Sequence, residues 1–193
     1  LNGISFQWTA RQVDGAGRTA TLAAENSNSF IPQTKAGFAV KTEGTNMAVR
    51  RDVLVALGGF DDGFHLYLDE TDLNLRIGGT HHKTALCPSA EVHHAYKAST
   101  RRKADRTVKD LFDVGASTVL LLRKNGHPLE PRCSEMVEEQ AERLADQVSR
   151  DLMSESEAAG VLQSLEAGFE AGALRAFGQY PDTLHHPSDF KPF

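Results

Sequence analysis

Hydrophobic and polar positions alternate in short stretches through the first part of the chain. The period of two over residues 4–9 is typical of a half-buried strand. The glycine-rich segment 14–17 predicts a turn, after which a strand returns over 19–23. A further short strand is predicted over 38–40. The opening of the chain is therefore expected to be β-rich.

A helical spacing of apolar residues replaces this alternation after residue 50. The segment 51–57 has Asp52 in its first turn and ends at a pair of glycines, which predicts a short helix. A second short helix, with acidic residues at its start, is predicted over 68–77. A strand is expected over 84–86.

The chain beyond residue 101 is predicted to be helical. Its wholly apolar segment 119–122 indicates a buried helix, and an amphipathic stripe runs over 134–153. Ser154 followed three residues later by Glu157 predicts a capping box that starts another helix. Prolines and a lack of periodicity predict an irregular tail after residue 177.

Composition narrows the class of protein. The chain has 193 residues, of which 40% are hydrophobic and 24% charged, a balance typical of a folded globular domain. Its formal net charge of −5 has the wrong sign for a general nucleic-acid or anionic-membrane binder. The two cysteines, Cys87 and Cys133, form no CxxC pair, so no zinc ribbon is indicated. The longest apolar stretches are too short to cross a bilayer, which favours a cytoplasmic location.

A cluster of carboxylates opens the second predicted helix. Asp69, Glu70 and Asp72 repel one another unless a helix N-terminus or a cation compensates. On a helix Asp72 and Arg76 lie one turn apart and can pair, whereas Glu70 points in a different direction. Neighbouring carboxylates are expected to raise the proton affinity of Glu70, which suits a general base. Taken alone, such a cluster is more often plain helix capping and surface charge.

The histidines form two adjacent pairs, His81-His82 and His93-His94. Neighbouring side chains in an extended segment point to opposite faces, so at most one of each pair can join a given site. No HExxH spacing occurs, and a hydrogen-bonded or solvated role is the favoured interpretation of each pair.

Four short motifs follow one another in a fixed order over about 50 residues. They are Gly44-Thr45-Asn46-Met47-Ala48-Val49-Arg50-Arg51, Leu57-Gly58-Gly59-Phe60-Asp61, Leu68-Asp69-Glu70-Thr71-Asp72-Leu73-Asn74-Leu75-Arg76 and Pro88-Ser89-Ala90-Glu91-Val92-His93-His94. In this order and spacing they resemble the second half of a family 2 glycosyltransferase with the GT-A fold. The resemblance implies an α/β domain. This chain is expected to hold only its second half, which is of the α+β class.

The resemblance also implies roles for individual residues. Glu70, the second residue of the acidic pair, is the implied catalytic base in a single displacement that inverts the anomeric configuration. Asp69 is the alternative base, because the usual Glu-Asp order is swapped here. The implied substrate-binding residues are Gly44, Thr45, Asn46, Asp72 and Arg76. Of these, Asp72 and Arg76 are also expected to support the helix.

A divalent cation, Mg²⁺ or Mn²⁺, is implied as well, with His94 as a ligand and the donor diphosphate as its partner. The implied partners are a nucleotide-sugar donor and a saccharide or lipid-linked acceptor, because relatives build polysaccharides, glycolipids and glycoproteins.

A D-x-D motif, which typically ends the preceding nucleotide-binding half, does not occur in the sequence. We therefore expect a piece of a longer enzyme, or a shortened homologue, that is inactive alone. The expected parts are residues 1–100 as the second half of the GT-A domain, 101–177 as a helical appendage and 178–193 as the tail. Apolar faces left open are expected to be covered by a homodimer.

Two other functions remain open at this stage. A non-catalytic assembly module would leave an extended apolar surface and no convergence of Glu70 with His94. A metal-dependent hydrolase would use the histidine pairs, although their spacing follows no known ligand geometry. The basic segment 101–106 is interpreted first as a solvated helix start, and second as a contact for donor phosphates or an anionic acceptor.

Overall fold

The computed structural model describes residues 9–23, 28–93 and 98–178. Within these ranges three strands precede five helices. In chain order they are β1 (Arg11–Asp14), β2 (Thr19–Thr21), β3 (Phe38–Val40), α1 (Arg51–Ala56), α2 (Asp69–Gly78), α3 (Phe112–Lys124), α4 (Leu129–Ser149) and α5 (Glu155–Leu174).

The strands form an antiparallel sheet in the order β2-β1-β3. The turn between β1 and β2 is closed by Asp14, whose side chain accepts hydrogen bonds from the backbone of Ala16 and Arg18 at 3.0 and 2.9 Å. Gly17 takes a left-handed φ of 74°, which glycine adopts without strain. The predicted hairpin and the strand over 38–40 are thus confirmed, whereas nearly all of the expected strand over 4–9 lies outside the described residues.

Helix α2 packs on β3, where a Cβ atom added at Gly78 would lie 2.9 Å from the Cβ of Ala39. Its buried side chains Leu73 and Ile77 share a cluster with Val53 of α1. Both short helices therefore lie where the sequence predicts them. The strand expected over 84–86 is wrong: only a single bridge joins Leu86 to Phe30. Pro88 follows closely and has no N–H to extend the pairing.

Helices α3, α4 and α5 form the second part of the molecule. Every residue over 119–122 in α3 is at most 1% exposed, as the apolar run predicts. Both hydrogen bonds of the predicted capping box at Ser154 and Glu157 are present. The amphipathic helix α4 begins earlier than expected, directly after Pro128, and ends at Ser149.

The prediction of helix from residue 101 onward is wrong for the first eleven residues. Arg102 and Val108 pair across a tight hairpin, and α3 begins only at Phe112. The carboxylate of Asp105 accepts a hydrogen bond from the backbone of Thr107 at 2.9 Å. Such local bonds favour a turn over a helix.

A shared core joins the two parts. Phe64 and Leu68, which precede α2, pack with Leu120 and Leu121 of α3 and with the partly buried Leu75. The helical region therefore rests directly on the segment that carries the acidic motif. No helix in the described ranges is long and apolar enough to cross a membrane.

Candidate functional site

Helix α2 begins from an unusual backbone. Tyr67 and Leu68 both have positive φ angles, 71° and 66°, which side chains with a Cβ rarely adopt. Backbone strain of this kind concentrates at functional sites. It places Asp69 and Glu70 in the first turn of α2, where the helix dipole favours negative charge.

The Glu70 carboxylate is paired with a lysine from the end of β3. Lys41 donates to Glu70 Oε1 at 2.7 Å, and the two side chains are only 12% and 14% exposed. Burial pushes the pKa of Glu70 upward, but the hydrogen bond and charge of Lys41, with a hydrogen bond from Asp69, hold it below its usual range.

The pKa of Asp69 shifts in the opposite direction. Burial first, and then the hydrogen bond and charge of Glu70, raise the pKa of Asp69. The expectation that Glu70 has the raised proton affinity is therefore wrong, because Lys41 was not anticipated as its partner. The raised affinity belongs to Asp69 instead.

The loop after β3 covers the Glu70 side of α2. A Cβ atom added at Gly44 would lie 3.9 Å from the Cβ of Glu70, which is ordinary contact distance. Asn46 donates from Nδ2 to the carbonyl of Ala90 at 2.9 Å. This loop thus meets the third and fourth motifs, and Thr45 is exposed within it.

One turn along α2 from Glu70, a second contact holds the same loop. Thr42 donates from Oγ1 to Asn74 Oδ1 at 2.9 Å. The Asn74 amide is buried, and its Nδ2 has no hydrogen-bond partner within the described residues. Asn74 also lines a cavity of about 200 Å³ between α2, β3 and the segment 80–84. Sequence reasoning missed both Lys41 and Asn74.

Asp72 and Arg76 pair across one turn, as predicted. Arg76 donates from Nε to Asp72 Oδ2 at 2.8 Å. Its other nitrogens donate to the carbonyls of Leu57 and Gly59 at 2.9 and 2.8 Å. These contacts fasten the turn before α2 and give Arg76 a supporting position.

A lysine from α3 completes this buried charge network. Lys124 lies 2.7 Å from Asp72 Oδ1 and 2.5 Å from Asp61 Oδ2. Asp61 also accepts from the backbone of Gly63 and Gly178, both at 2.9 Å. Buried carboxylates require a cation, so a basic partner for Asp61 and Asp72 could be expected. The sequence pattern does not identify Lys124 as that partner.

The divalent cation stays a prediction. The ligand implied for Mg²⁺ or Mn²⁺, His94, lies outside the described residues. Within 9–23, 28–93 and 98–178 no three His, Cys, Asp or Glu side chains converge. The carboxylates of Glu70, Asp72 and Asp61 are already neutralised by side-chain cations.

Comparison with known proteins gives a partial relationship. A stretch of 59 residues is 37% identical to an N-acetylglucosaminyl-diphospho-decaprenol L-rhamnosyltransferase of Mycobacterium tuberculosis, in two strains of that organism. Over that stretch the chain is similar to a glycosyltransferase. The match covers 31% of this chain and 19% of the relative. No family model and no solved structure matches the chain.

Proposed function

We propose that this chain carries the acceptor-binding and proton-accepting part of an inverting glycosyltransferase. The donor is a nucleotide sugar, and the acceptor is the hydroxyl of a saccharide, most simply one linked to a lipid. The observation that carries the proposal is the approach of the 44–46 loop to the Lys41-paired carboxylate of Glu70. The similarity to a glycosyltransferase supports it.

In the proposed reaction Glu70 accepts the proton of the acceptor hydroxyl. The oxygen forms a bond to the anomeric carbon while the bond from that carbon to the donor phosphate breaks. The bonding electrons leave with the nucleoside diphosphate, and attack from the opposite face inverts the configuration. Lys41 keeps Glu70 ionised before the proton arrives.

Asp69 has a different part in the proposal. Burial and the neighbouring charge of Glu70 raise its pKa, so Asp69 binds a proton more readily than Glu70 does. Asp69 is therefore the alternative base. Two neighbouring carboxylates with pKa values pushed apart are a frequent arrangement in acid–base sites.

The lipid-linked acceptor rests on the name of the relative. That protein transfers rhamnose, and its name gives N-acetylglucosaminyl-diphospho-decaprenol as the acceptor. For this chain we propose the same class, a saccharide joined to a lipid through a diphosphate.

The test is transfer of a labelled sugar by the longest natural polypeptide that carries this sequence. Glu70→Gln keeps the size of the side chain and is expected to lower kcat by roughly a thousandfold, within the range for loss of a general base. Asp69→Asn should cause a smaller loss. Asp52→Asn, at an exposed position of α1, is the matched control and should leave transfer unchanged.

The outcomes separate the alternatives. A large loss for Asp69→Asn with little for Glu70→Gln would move the base to Asp69. Full transfer by both variants would refute glycosyl transfer at this helix.

A further inference from the structure

The hairpin that replaces the expected helix start is a compact basic element. Backbone bonds of 2.9 Å from Ser99 N to Arg102 O and from Lys103 N to Thr107 O close it. Its cationic residues are Arg101, Arg102, Lys103, Arg106 and Lys109. This concentration of positive charge occurs in a chain whose formal net charge is −5.

The hairpin lies against helix α4. The backbone N–H of Val108, which pairs with Arg102, donates to Gln147 Oε1 at 3.3 Å. Gln147 is one helical turn beyond Arg143, so both side chains share the face of α4 that meets the hairpin. The partial burial of Arg143 and the charges of Arg102 and Arg106 together lower the pKa of Arg143. Three guanidinium groups are therefore close enough to repel one another.

Two of the cations in the hairpin have carboxylate partners. Arg101 binds Asp113 at 2.6 Å, and Lys103 lies 3.4 Å from Glu157. Among the residues that the structure describes, no carboxylate is within ion-pair distance of Arg102 or Arg143. Arg143 donates from Nη1 to Gln140 Oε1 at 3.4 Å. Clustered arginines without anions are suited to a phosphate ligand.

Tyr67 connects this patch with the candidate base. Burial raises the pKa of the Tyr67 hydroxyl, and the charges acting on it include those of Lys41 and Glu70. Tyr67 in turn acts on the charge of Arg143. Tyr67 is therefore within electrostatic range of both Arg143 and Glu70.

We propose that Arg102 and Arg143, together with Arg106, bind the diphosphate of a lipid-linked acceptor while its sugar hydroxyl reaches Glu70. The inference rests on the proposed function, since it places the acceptor of that reaction. It favours the acceptor over the donor because Tyr67, which acts on the charge of Arg143, is only three residues before Glu70. A guanidinium group can donate two parallel hydrogen bonds to phosphate oxygens, and several such groups can bind the two phosphates of a diphosphate.

The experiment measures binding of geranyl diphosphate to the chain by calorimetry at low salt. Arg102→Gln and Arg143→Gln are each expected to weaken binding roughly tenfold, the loss of one charge-assisted contact. Arg50→Gln removes the same charge from a 78% exposed arginine of the 44–51 motif and should bind as the unaltered chain does. Far-UV circular dichroism confirms that each variant is folded.

Three results would overturn the proposal. Equal binding by Arg143→Gln and the unaltered chain would show that the patch does not hold the diphosphate. An equal loss for Arg50→Gln would show general charge attraction only. Displacement by uridine diphosphate at the same concentration would assign the patch to the donor. Because the assay needs no sugar transfer, it can fail while the Glu70 variants still support the proposed reaction, and the reverse also holds.

Discussion

At the scale of single residues, the pairing of Lys41 with Glu70 sets the charge of the candidate base. Both side chains are mostly buried, and burial alone would favour a neutral carboxyl group. The ammonium group 2.7 Å away reverses that preference. Glu70 is therefore an anion at neutral pH in a position where few water molecules reach it.

The variant Lys41→Met tests this pairing. It removes the cation but keeps the apolar part of the side chain, so burial is no longer opposed and the pKa of Glu70 should rise. A carbon NMR titration of the glutamate carboxylates measures the change, with Lys35→Met at an exposed lysine as control. An unchanged Glu70 titration would contradict the role given to Lys41.

The same variant has a consequence for stability. A carboxylate with a lowered folded pKa contributes stability that is present above its unfolded pKa and is lost as the pH falls through the folded pKa. Lys41→Met should therefore weaken the loss of stability in acid. The midpoint of urea unfolding, followed from neutral to acid pH, measures it.

Sequence separation explains which contacts of the site were predictable. Asp72 and Arg76 are four residues apart on one helix, so their pairing follows from helical geometry. Lys41 and Glu70 are 29 residues apart, and Lys124 and Asp61 are 63 apart. Such pairs depend on how elements pack, which periodicity does not give. The motif order nevertheless assigned Gly44 and Glu70 to one candidate site, and the structure brings these two residues to contact distance.

At the scale of elements, glycines allow α3 and α5 to approach closely. Gly115 of α3 and Gly168 of α5 each leave no room for a Cβ atom, which would meet the backbone of the other helix. At Gly172 an added Cβ would lie 2.5 Å from the carbonyl oxygen of Ala116. The helix backbones are therefore in direct contact along this seam.

Two substitutions in α5 test the seam. Gly168→Ala should lower the free energy of unfolding by about 2 kcal/mol, because the added methyl group meets the backbone of Phe112. This loss is expected although alanine forms helices more readily than glycine. Gly160→Ala is the matched control at a position with open space, where the same change should stabilise by up to about 1 kcal/mol. Urea unfolding measures both. A stabilising effect at Gly168 would show that the helices do not pack this closely.

The elements that sequence reasoning placed wrongly share a cause. The hairpin at 101–109 and the single bridge at Leu86 are both held by backbone pairing and local side-chain bonds. Neither kind of contact produces a periodic pattern of hydrophobic residues in the sequence. The apolar run over 119–122 and the capping box at Ser154 are visible in the sequence, and both were predicted correctly.

At the scale of the whole molecule, Lys124 links the helical region to the motif region through buried ion pairs. Lys124 is at the end of α3, whereas its partners Asp61 and Asp72 flank the start of α2. Both carboxylates are only 2% exposed. Charges this deeply buried require a partner, so the helices contribute directly to the structure around α2.

Lys124→Met should destabilise the whole chain. It leaves Asp61 without a side-chain cation, and loss of one partner from a buried pair costs about 3 kcal/mol or more. The free energy of unfolding in urea measures the effect, and adding Asp61→Asn should recover part of it. Arg50→Met, which breaks an exposed pair, should have no measurable effect. A neutral result for Lys124→Met would mean that the network contributes little. The homodimer expected from the sequence stays a prediction.

Lys124 also bears on recombination between this chain and homologous chains. A hybrid with its crossover between α2 and α3 takes Asp61 and Asp72 from one parent. It takes the end of α3, where Lys124 lies, from the other parent. Such a hybrid leaves the buried Asp61 without its counter-ion whenever the second parent lacks a lysine at position 124, although Asp72 keeps its pair with Arg76. With such a parent, a viable crossover falls before Asp61 or after Lys124, so these 64 residues stay together.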